Sequence, residues 1–560
     1  MNMKKISRRQ AMKAVSGALL VIPTACNHIP RGKLPDSVFK HGIASGDPDS
    51  TSVVIWTRIS STKGAVNVDW SIATDKNFLK IVKVGQFATD SYRDYTVKVV
   101  VSDLLPGQDY FYKFSFNDHI SPVGRTKILP IGHVKKVVLA VATCSNFSFG
   151  YFNACDAIAN DPTVDLVVHL GDYIYEHGVD GYGGDVGRNI GRDHVPSHEI
   201  ISLDDYRKRH AQYKTDQGSL AMHARHPLIV MWDDHETANN PWMQGAKNHQ
   251  ANEGAWEARR EASLQAYYEW LPIRDPLKSA DRKNYWRHYK FGDLASLITL
   301  ESRHTGRSQQ ISYNEHLPKL KTKQQAQAFL SDVVGSEERN MLSADMESFL
   351  KSELKESVQS KRRWRIIGNQ TVLARSLSPK LEGTAFDGLD DALNPKAKKM
   401  LEELLHLGEL NLPADLDTWD GYPAARERFY EIAKEANSRD LLVLSGDSHS
   451  YWANTLSDAN NQSMGVELGA TGISSPRSLR ALGGTALIKY DELNAAHNKE
   501  IVWSDGRHQG FIRLQLDHQS GHADFITVSN VKTPIYKTKI IHSVNIHHNH
   551  GSLDYGKLPQ

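Results

Sequence analysis

The sequence predicts an α/β protein in which a β-sheet core flanked by helices follows a small antiparallel β-sandwich. Two observations predict it. Up to about residue 130, short segments of alternating polarity are separated by turn residues. After residue 131, apolar runs of strand length alternate with helical stretches. A chain of 560 residues also exceeds what one hydrophobic core usually serves, so more than one domain is expected.

The net charge excludes some classes of partner. The chain has 67 Lys and Arg residues against 65 Asp and Glu residues, a formal charge of +2. Such a balance indicates no general affinity for nucleic acid or for an anionic membrane. The function must therefore be argued from local sites.

Residues 1–26 are predicted to be an export signal outside the fold. Five basic residues precede an apolar run at 14–22, namely Lys4, Lys5, Arg8, Arg9 and Lys13. This order is typical of a secretory signal, and the run is too short to remain as a membrane span. Residues 7–13 (Ser-Arg-Arg-Gln-Ala-Met-Lys) resemble a twin-arginine signal, so we expect the twin-arginine export machinery as a partner and a periplasmic or secreted protein. The alternatives are an ordinary basic signal, and lipid anchoring at Cys26, which is disfavoured because Pro23 stands where a Leu is usual.

Residues 38–130 are predicted to form the β-sandwich. The alternating strand segments are 51–57, 66–72, 95–101 and 110–115. The turn at 104–110 (Leu-Leu-Pro-Gly-Gln-Asp-Tyr) is similar to a corner of fibronectin type III-like sandwiches. This domain by itself indicates no chemistry.

Residues 131–540 are predicted to form the catalytic domain. Its apolar runs are 137–143, 164–170, 227–232, 294–300, 365–368 and 441–445, and its helices are 255–270, 343–357 and 424–436. The polar, irregularly patterned stretch 308–343 is interpreted as an insertion. The tail, 541–560, contains His542, His547, His548 and His550 and is predicted to be a solvated, poorly ordered terminus, with metal binding as the alternative.

Each of the six apolar runs ends in residues that can act as ligands. The residues that follow the runs are Cys144, Asp172 with Tyr175, Asp234 with His235, Glu301 with Arg303, Asn369, and Asp447 with His449. Open α/β sheets build their sites at the carboxyl ends of their strands. A single Asp in such a place is often only a helix cap or a turn residue. Six occurrences in one order predict an active site.

These residue types suit the hydrolysis of a phosphoester. Two cations about 3.5–4 Å apart would polarise the phosphoryl oxygens and make a bridging hydroxide at neutral pH. Such a pair needs a shared carboxylate, and Asp172, after the small Gly171, is placed to bridge. Tyr175 lies one helical turn further on. A phenolate together with the Cys144 thiolate favours Fe³⁺.

The remaining ligands favour a harder divalent ion. Asp234, Asp447 and Asn369 supply oxygens that suit Ca²⁺, although manganese or zinc would accept similar ligands. His449 follows Asp447 by two positions, so both point to one side of an extended segment.

Two further residues have predicted catalytic roles. His235, between two carboxylates, would protonate the leaving alkoxide; the alternative is a structural histidine bonded to Asp233. Arg303 would hold a phosphate oxygen by its guanidinium fork, or would instead pair with a structural carboxylate.

The chain resembles the PhoD-like alkaline phosphatases, a branch of the calcineurin-like metallophosphoesterase superfamily. The segments that carry the resemblance, besides the strand ends, are 41–48 (His-Gly-Ile-Ala-Ser-Gly-Asp-Pro), 55–58, 232–236 (Trp-Asp-Asp-His-Glu), 239–240, 262–274, 419–426 and 445–449 (Ser-Gly-Asp-Ser-His). The resemblance implies a metallophosphoesterase-type fold and an alkaline phosphatase acting on phosphomonoesters and phosphodiesters. The chain departs from the family pattern at two places. Glu301 stands where an Asp is usual, and the segment 308–343 does not align with the family.

The resemblance also implies a distribution of the metals. Iron would take Cys144, Asp172, Tyr175 and His449. Calcium would take Asp172, Asp234 and Asp447, with Asn369 less certain. His235 matches the histidine that protonates the leaving group in the superfamily.

Three alternatives stay open. The first is a phospholipase D-type phosphodiesterase with a phospholipid substrate. The second is a non-catalytic exported protein whose sandwich binds a glycan or a surface. In the third, a Cys144–Cys155 disulfide replaces the metals and the acidic residues are surface turns.

Overall fold

The computed structural model describes residues 38–60, 63–277, 281–381, 386 and 393–556. The predicted export signal and Cys26 lie outside these residues. Among the helices that the structure describes, none is both long and apolar enough to cross a bilayer.

The N-terminal region is a two-layered antiparallel β-sandwich, as predicted. One layer contains β1 (Ile43–Gly46), β2 (Val53–Arg58) and β5 (Thr96–Val101); the other contains β3 (Val66–Ala73), β4 (Ile81–Thr89), β6 (Asp109–Phe116), β7 (His119–Ile120) and β8 (Gly124–Lys127). Alternate side chains of both layers point inward and form one core that includes Val53, Ile72, Val97 and Tyr112.

Two larger sheets build the catalytic region. The ten-stranded sheet has the order β24-β23-β22-β21-β9-β10-β11-β1-β2-β5, with β9 (Lys136–Ala142), β10 (Leu166–His169), β11 (Leu228–Val230), β21 (Gln509–Asp517), β22 (Gly521–Val528), β23 (Thr538–Asn549) and β24 (Ser552–Tyr555). The seven-stranded sheet has the order β14-β15-β16-β17-β19-β18-β20, with β14 (His288–Phe291), β15 (Ala295–Thr299), β16 (Trp364–Gly368), β17 (Leu441–Ser445), β18 (Tyr451–Ser457), β19 (Ser463–Gly469) and β20 (Ile501–Asp505). A short hairpin, β12 (Pro241–Trp242) and β13 (Gly245–Ala246), completes the strands of the described residues.

The main hydrophobic core contains side chains of both sheets. Val141 and Ile229 of the ten-stranded sheet share a buried cluster with Ile366 and Leu444 of the seven-stranded sheet. All six predicted apolar runs are strands. Three of the runs belong to the ten-stranded sheet and three to the seven-stranded sheet. Hydrophobic periodicity identifies buried strands but carries no information about which strands pair.

The sandwich and the catalytic region are joined through one sheet. Strand β1 pairs in parallel with β11 through Gly46 and Leu228, so one layer of the sandwich continues the ten-stranded sheet. The sandwich and the catalytic region therefore share a continuous β-sheet.

Eleven α-helices lie among the described residues. They are α1 (Asn153–Ala159), α2 (Gly184–Ile190), α3 (Leu203–Tyr213), α4 (Gln217–Arg225), α5 (Trp256–Trp270), α6 (Tyr313–His316), α7 (Lys323–Phe329), α8 (Ala344–Gln359), α9 (Pro395–Leu410), α10 (Pro423–Glu435) and α11 (Gly484–His497). Of these, α1, α3, α4, α5, α8 and α10 pack against the sheets. The three predicted helices correspond to α5, α8 and α10. Helix α8 begins where the Ser343 side chain accepts a hydrogen bond from the Met346 amide.

The insertion at 308–343 is more regular than its sequence indicates. It contains α6, α7 and a π-helix at Leu330–Val334. Leu317 and Phe329 of the insertion pack in a separate core with Leu407 and Leu412. Because its apolar residues are few and spaced by long polar stretches, the pattern did not reveal this packing.

The predicted poorly ordered tail is wrong. Residues 538–555 contain β23 and the edge strand β24 of the ten-stranded sheet, and the boundary placed at residue 540 falls inside β23. Val544, Ile546 and Leu553 are buried in the main core. His542, His547 and His548 occupy partly or fully exposed positions of β23, and His550 lies in the turn before β24, which is why composition alone suggested a solvated segment.

Candidate active site

The carboxyl ends of two parallel strand groups meet at the site. Strands β9, β10 and β11 are mutually parallel in one sheet, as are β15, β16 and β17 in the other. A parallel bridge between Thr143 and Gly472 joins the end of β9 to the segment that follows β19 of the seven-stranded sheet, directly beside Cys144. Residues that are far apart in the sequence therefore leave their strands at one place.

A first cluster contains a thiol, a carboxylate, a phenol and an imidazole. Ligand atoms of Cys144, Asp172 and His449 lie within 4.8 Å of one another. The Tyr175 hydroxyl donates to Asp172 Oδ2 at 2.8 Å and lies 3.2 Å from His449 Nε2. The Ser475 hydroxyl donates to Tyr175 Oη at 2.9 Å. The predicted iron ligands are thus brought together.

A second cluster shares Asp172 with the first. Ligand atoms of Asp172, Asp234 and His235 also lie within 4.8 Å of one another. Asp234 is buried, and its Oδ1 has no hydrogen-bond partner among the described residues. Asp447 lines the same cavity as Asp234 and His449. The carboxylate that the sequence analysis interpreted as a bridge therefore lies between the two groups of ligands.

The backbone at this site is strained. Cys144, Asp172, Asp447 and His449 all have positive φ, between 52° and 59°. Side chains of L-residues rarely adopt this region, and such strain concentrates at functional sites. Gly171 has φ 111°, and a Cβ there would lie 2.4 Å from the Asp233 Cβ. Gly171, the small residue before Asp172, therefore lies where two strand ends approach each other closely.

His235 is held by a carboxylate that the sequence analysis did not assign. Its Nδ1 lies 2.6 Å from Glu176 Oε2, and its Nε2 lies 3.9 Å from Asp234 Oδ2. A carboxylate can only accept, so Nδ1 carries a proton and Nε2 is directed to the metal-ligand cluster. The alternative, a structural bond to Asp233, is not what the structure contains. Glu176 is four residues after Asp172, a spacing that was visible in the sequence.

Two other predicted residues are placed less favourably for their roles. Arg303 is fully buried and donates to Asp233 Oδ1 at 2.5 Å and to Asp417 Oδ2 at 2.7 Å, which corresponds to the alternative of a structural pair. Its Nη2 lies 3.7 Å from Asp447 Oδ1. Nη2 has no hydrogen-bond partner among the described residues, and the contact between Arg303 and phosphate stays a prediction for this fully buried side chain.

Asn369 follows β16 as predicted, but both ends of its amide are engaged. Its Nδ2 donates to the Thr371 carbonyl oxygen, and its Oδ1 accepts from Trp419 Nε1 at 3.3 Å. Its role as a calcium ligand stays a prediction. Glu301, the departure from the family pattern, accepts from the amides of Arg303 and His304 and so shapes the turn after β15.

Both cysteines in the described residues are free buried thiols. Cys155 lies in α1, in a hydrophobic cluster behind the ten-stranded sheet. The alternative in which a disulfide replaces the metal site is therefore wrong.

A cavity of about 580 Å³ opens onto the clusters. Its lining has a polar part with Asp234, His235 and His449 and an apolar part, which contains Val372, Ala374, Leu404, Trp452, Leu479 and Tyr490. A substrate with a charged group and an apolar group would find a surface for each.

Comparison with known proteins identifies the chain. The family model for the PhoD-like phosphatase matches residues 139–525, and that for the PhoD-like phosphatase N-terminal domain matches residues 26–130. The chain belongs to the PhoD-like phosphatase family. It is 32% identical over 514 residues to alkaline phosphatase D of Bacillus subtilis (strain 168), covering 89% of this chain and 78% of that protein. The PhoD-like chain is therefore a hydrolase of phosphoric esters.

Solved structures agree with this assignment. The structure of PhoD superposes with a TM-score of 0.74 at 29% identity, covering 94% of each chain. Purple acid phosphatase PPD1 from yellow lupin (Lupinus luteus) seeds superposes with a TM-score of 0.51 at 11% identity, covering 91% of this chain and 74% of that one. The second comparison shows the metallophosphoesterase fold alone.

The electrostatics of this PhoD-like site fit bound cations. Burial and the Asp234 carboxylate raise the pKa of Asp172, and burial and the Asp233 carboxylate raise the pKa of Asp447. Burial and neighbouring carboxylates likewise raise the pKa of Cys144 and that of Tyr175. Burial and mutual repulsion thus disfavour the anionic forms of these four side chains, and a multivalent cation would stabilise all four anions together.

His449 is prepared as a ligand by its surroundings. Burial lowers its pKa to about 4, so the ring is neutral near pH 7. Its Nδ1 lies 3.0 Å from the Pro476 carbonyl oxygen, which can only accept, and Nε2 therefore presents a lone pair to the first cluster. The Tyr182 hydroxyl donates to the same carbonyl at 3.1 Å. Neither Tyr182 nor Pro476 was found from the sequence, because no strand-end pattern marks them.

Proposed function

We propose that this PhoD-like chain is an exported, metal-dependent hydrolase of phosphomonoesters and phosphodiesters. The observation that carries the proposal is the convergence of Cys144, Asp172, Tyr175 and His449 beside Asp234 at the ends of strands from two sheets. Thiol, phenol, imidazole and carboxylate groups are all metal ligands, and their convergence from such distant segments supports ligation.

Each metal would have its own ligands. Cys144, Asp172, Tyr175 and His449 would hold Fe³⁺, because the thiolate and the phenolate favour it, and Asp172, Asp234 and Asp447 would hold Ca²⁺. Bound there, the cations supply a nucleophile from water at neutral pH and offset the charge of the phosphoryl group. Manganese or zinc in the second position is compatible with the same oxygens.

His235 would provide the proton for the leaving group. When the ester P–O bond breaks, the proton on His235 Nε2 passes to the departing alkoxide oxygen. Glu176 holds the ring by its 2.6 Å contact with Nδ1 and favours the doubly protonated form. Because Asn239 N and Asn248 Nδ2 both donate to the other oxygen of Glu176, that carboxylate is itself fixed.

A second candidate is a phospholipase D-type phosphodiesterase. The apolar part of the cavity lining, from Val372 to Tyr490, supports it, because a lipid substrate needs an apolar surface next to the reacting phosphate. Parallel assays of a phosphomonoester, a soluble phosphodiester and phospholipid vesicles separate the two candidates. Preference for vesicles over the soluble diester favours the second.

Export is proposed from the amino-terminal pattern of basic residues, apolar run and small residues. Lysine substitution of both Arg8 and Arg9 should retain the protein inside the cell if the twin-arginine route is used. Unchanged fractionation of that variant would favour an ordinary secretory signal.

Elemental analysis of the purified native protein tests metal dependence. Iron together with calcium supports the proposal, whereas less than about one metal ion per chain contradicts it. Cys144→Ser should lose iron and activity. Cys155→Ser is the matched control, since its thiol is equally buried but lies in α1 away from the site.

A further inference from the structure

Another group of side chains with the chemistry to hold a metal ion lies at the opposite end of the strands from the active site. It consists of His133, which precedes β9, Asp293, in the β14–β15 turn, and His518, in the β21–β22 turn. Their ligand atoms lie within 4.8 Å of one another. Three segments far apart in the sequence thus present two imidazoles and one carboxylate at one point.

The measured spacings lie on either side of the spacing between neighbouring ligand atoms in a tetrahedral zinc site. His133 Nδ1 lies 2.9 Å from Asp293 Oδ2, and His518 Nε2 lies 3.4 Å from Asp293 Oδ1. Zinc bonds of about 2.0–2.1 Å at the tetrahedral angle place neighbouring ligand atoms about 3.3 Å apart. The two imidazole rings are stacked, with centroids 4.9 Å apart and planes 16° apart.

Other contacts hold the ligands in place. Asp293 Oδ1 accepts from the Val134 amide at 3.0 Å. His518 Nε2 lies 3.1 Å from the Val134 carbonyl oxygen and donates to it in the ion-free protein. A bound cation would replace the Nε2 proton and would have this carbonyl oxygen as a neighbouring ligand. The three side chains are 66%, 41% and 36% exposed, which lets an ion enter directly from solvent.

We propose that His133, Asp293 and His518 form a structural binding site for a divalent cation of the zinc class. The imidazoles and the carboxylate supply three ligands, and water or the Val134 carbonyl oxygen completes the coordination. Occupation would join the segment that leaves the sandwich to one turn from each large sheet.

The site is separate from the catalytic one. Strand β9 lies between His133 and Cys144, and its seven residues at about 3.3 Å each place the two sites about 20 Å apart. An ion that binds only the folded chain stabilises it by mass action, so the expected effect is on unfolding and not on turnover.

Zinc titration of the holoenzyme by calorimetry tests this proposal. The parent should show one saturable zinc site per chain beyond its resident metals, and this site should be at least about tenfold weaker in His133→Ala and in His518→Ala. His119→Ala is the matched control, because His119 is an exposed histidine of the sandwich and should leave zinc binding unchanged. Equal zinc binding in the parent and in His133→Ala would overturn the proposal, as would no saturable binding to the parent.

A second measurement guards against misfolding of the variants. Asp293→Asn keeps an oxygen acceptor for the Val134 amide but removes the charge. Zinc should raise the thermal midpoint of the parent and not that of Asp293→Asn, while both hydrolyse phosphoesters at the same rate. An equal rise in both proteins contradicts the site.

Discussion

Replacing Glu176 with Gln should disable the proton donor while keeping the shape of the site. Glu176 is fully buried, and its Oε1 accepts from two donors, Asn239 N at 2.7 Å and Asn248 Nδ2 at 2.8 Å. The amide oxygen of a glutamine would keep these two bonds, so its NH₂ group would face His235 Nδ1. The N–H group at Nδ1 of the doubly protonated imidazole would then face the N–H groups of the amide, with no acceptor between them. This repulsion would disfavour the doubly protonated form, so His235 would lose its proton at Nδ1 and its function as an acid.

The magnitude follows from what a general acid contributes. Such a proton transfer supplies about 10²–10⁴-fold in rate, or about 3–5 kcal/mol. We expect this loss in kcat/KM for alkyl phosphates, whose leaving alkoxides are strong bases. For 4-nitrophenyl phosphate the loss should be less than about tenfold, since its leaving group departs without a proton.

The assay is a series of phosphoesters of increasing leaving-group pKa, measured with the parent, Glu176→Gln, His235→Ala and the double variant. Because both residues act through one proton, the double variant should be no slower than His235→Ala. A uniform loss across the series, or fully additive losses in the double variant, would refute the reasoning.

Three further predictions concern the shared ligand, the tight turn and the tail. Asp172→Asn should abolish turnover with a native circular dichroism spectrum, since it removes a ligand charge and no core packing; activity equal to the parent would contradict the bridge. Gly171→Ala should destabilise by about 2–4 kcal/mol in urea unfolding, because its Cβ would meet Asp233 at 2.4 Å; Gly132→Ala, with nothing within 4 Å, should cost less. Truncation after residue 537 should remove the buried side chains of Val544, Ile546 and Leu553, each of which stabilises the fold by about 1.5–3 kcal/mol. The truncated chain should therefore be largely unfolded, and an unchanged urea midpoint would contradict the role of β23 and β24 in the core.

Much of the active site could be predicted because its ligands follow a local rule. Cys144, Asp172 and Asp447 each stand directly or almost directly after an apolar run, so a strand end marks them in the sequence. Arg303 obeys the same rule and yet is buried between Asp233 and Asp417, since a strand end specifies position and not the direction of a long side chain.

Residues of the site that do not follow an apolar run were missed because their contacts are long-range. Ser475 and Tyr182 contact the ligands from loops, with sequence separations of about 300 from their partners Tyr175 and Pro476. Contacts of that range depend on how the two sheets pack, and no local pattern encodes them.

The amino-acid sequence by itself determined the six strands that lead into the site, four strands of the sandwich, three of the helices, the ligand chemistry and the family resemblance, because hydrophobic periodicity and side-chain chemistry are local properties. Only the tertiary structure decided that the six strands divide between two sheets, that β23 and β24 complete the core, and that Glu176 holds His235. These features depend on strand pairing and side-chain packing between distant segments, where burial of the whole chain selects one arrangement from many that are locally equivalent.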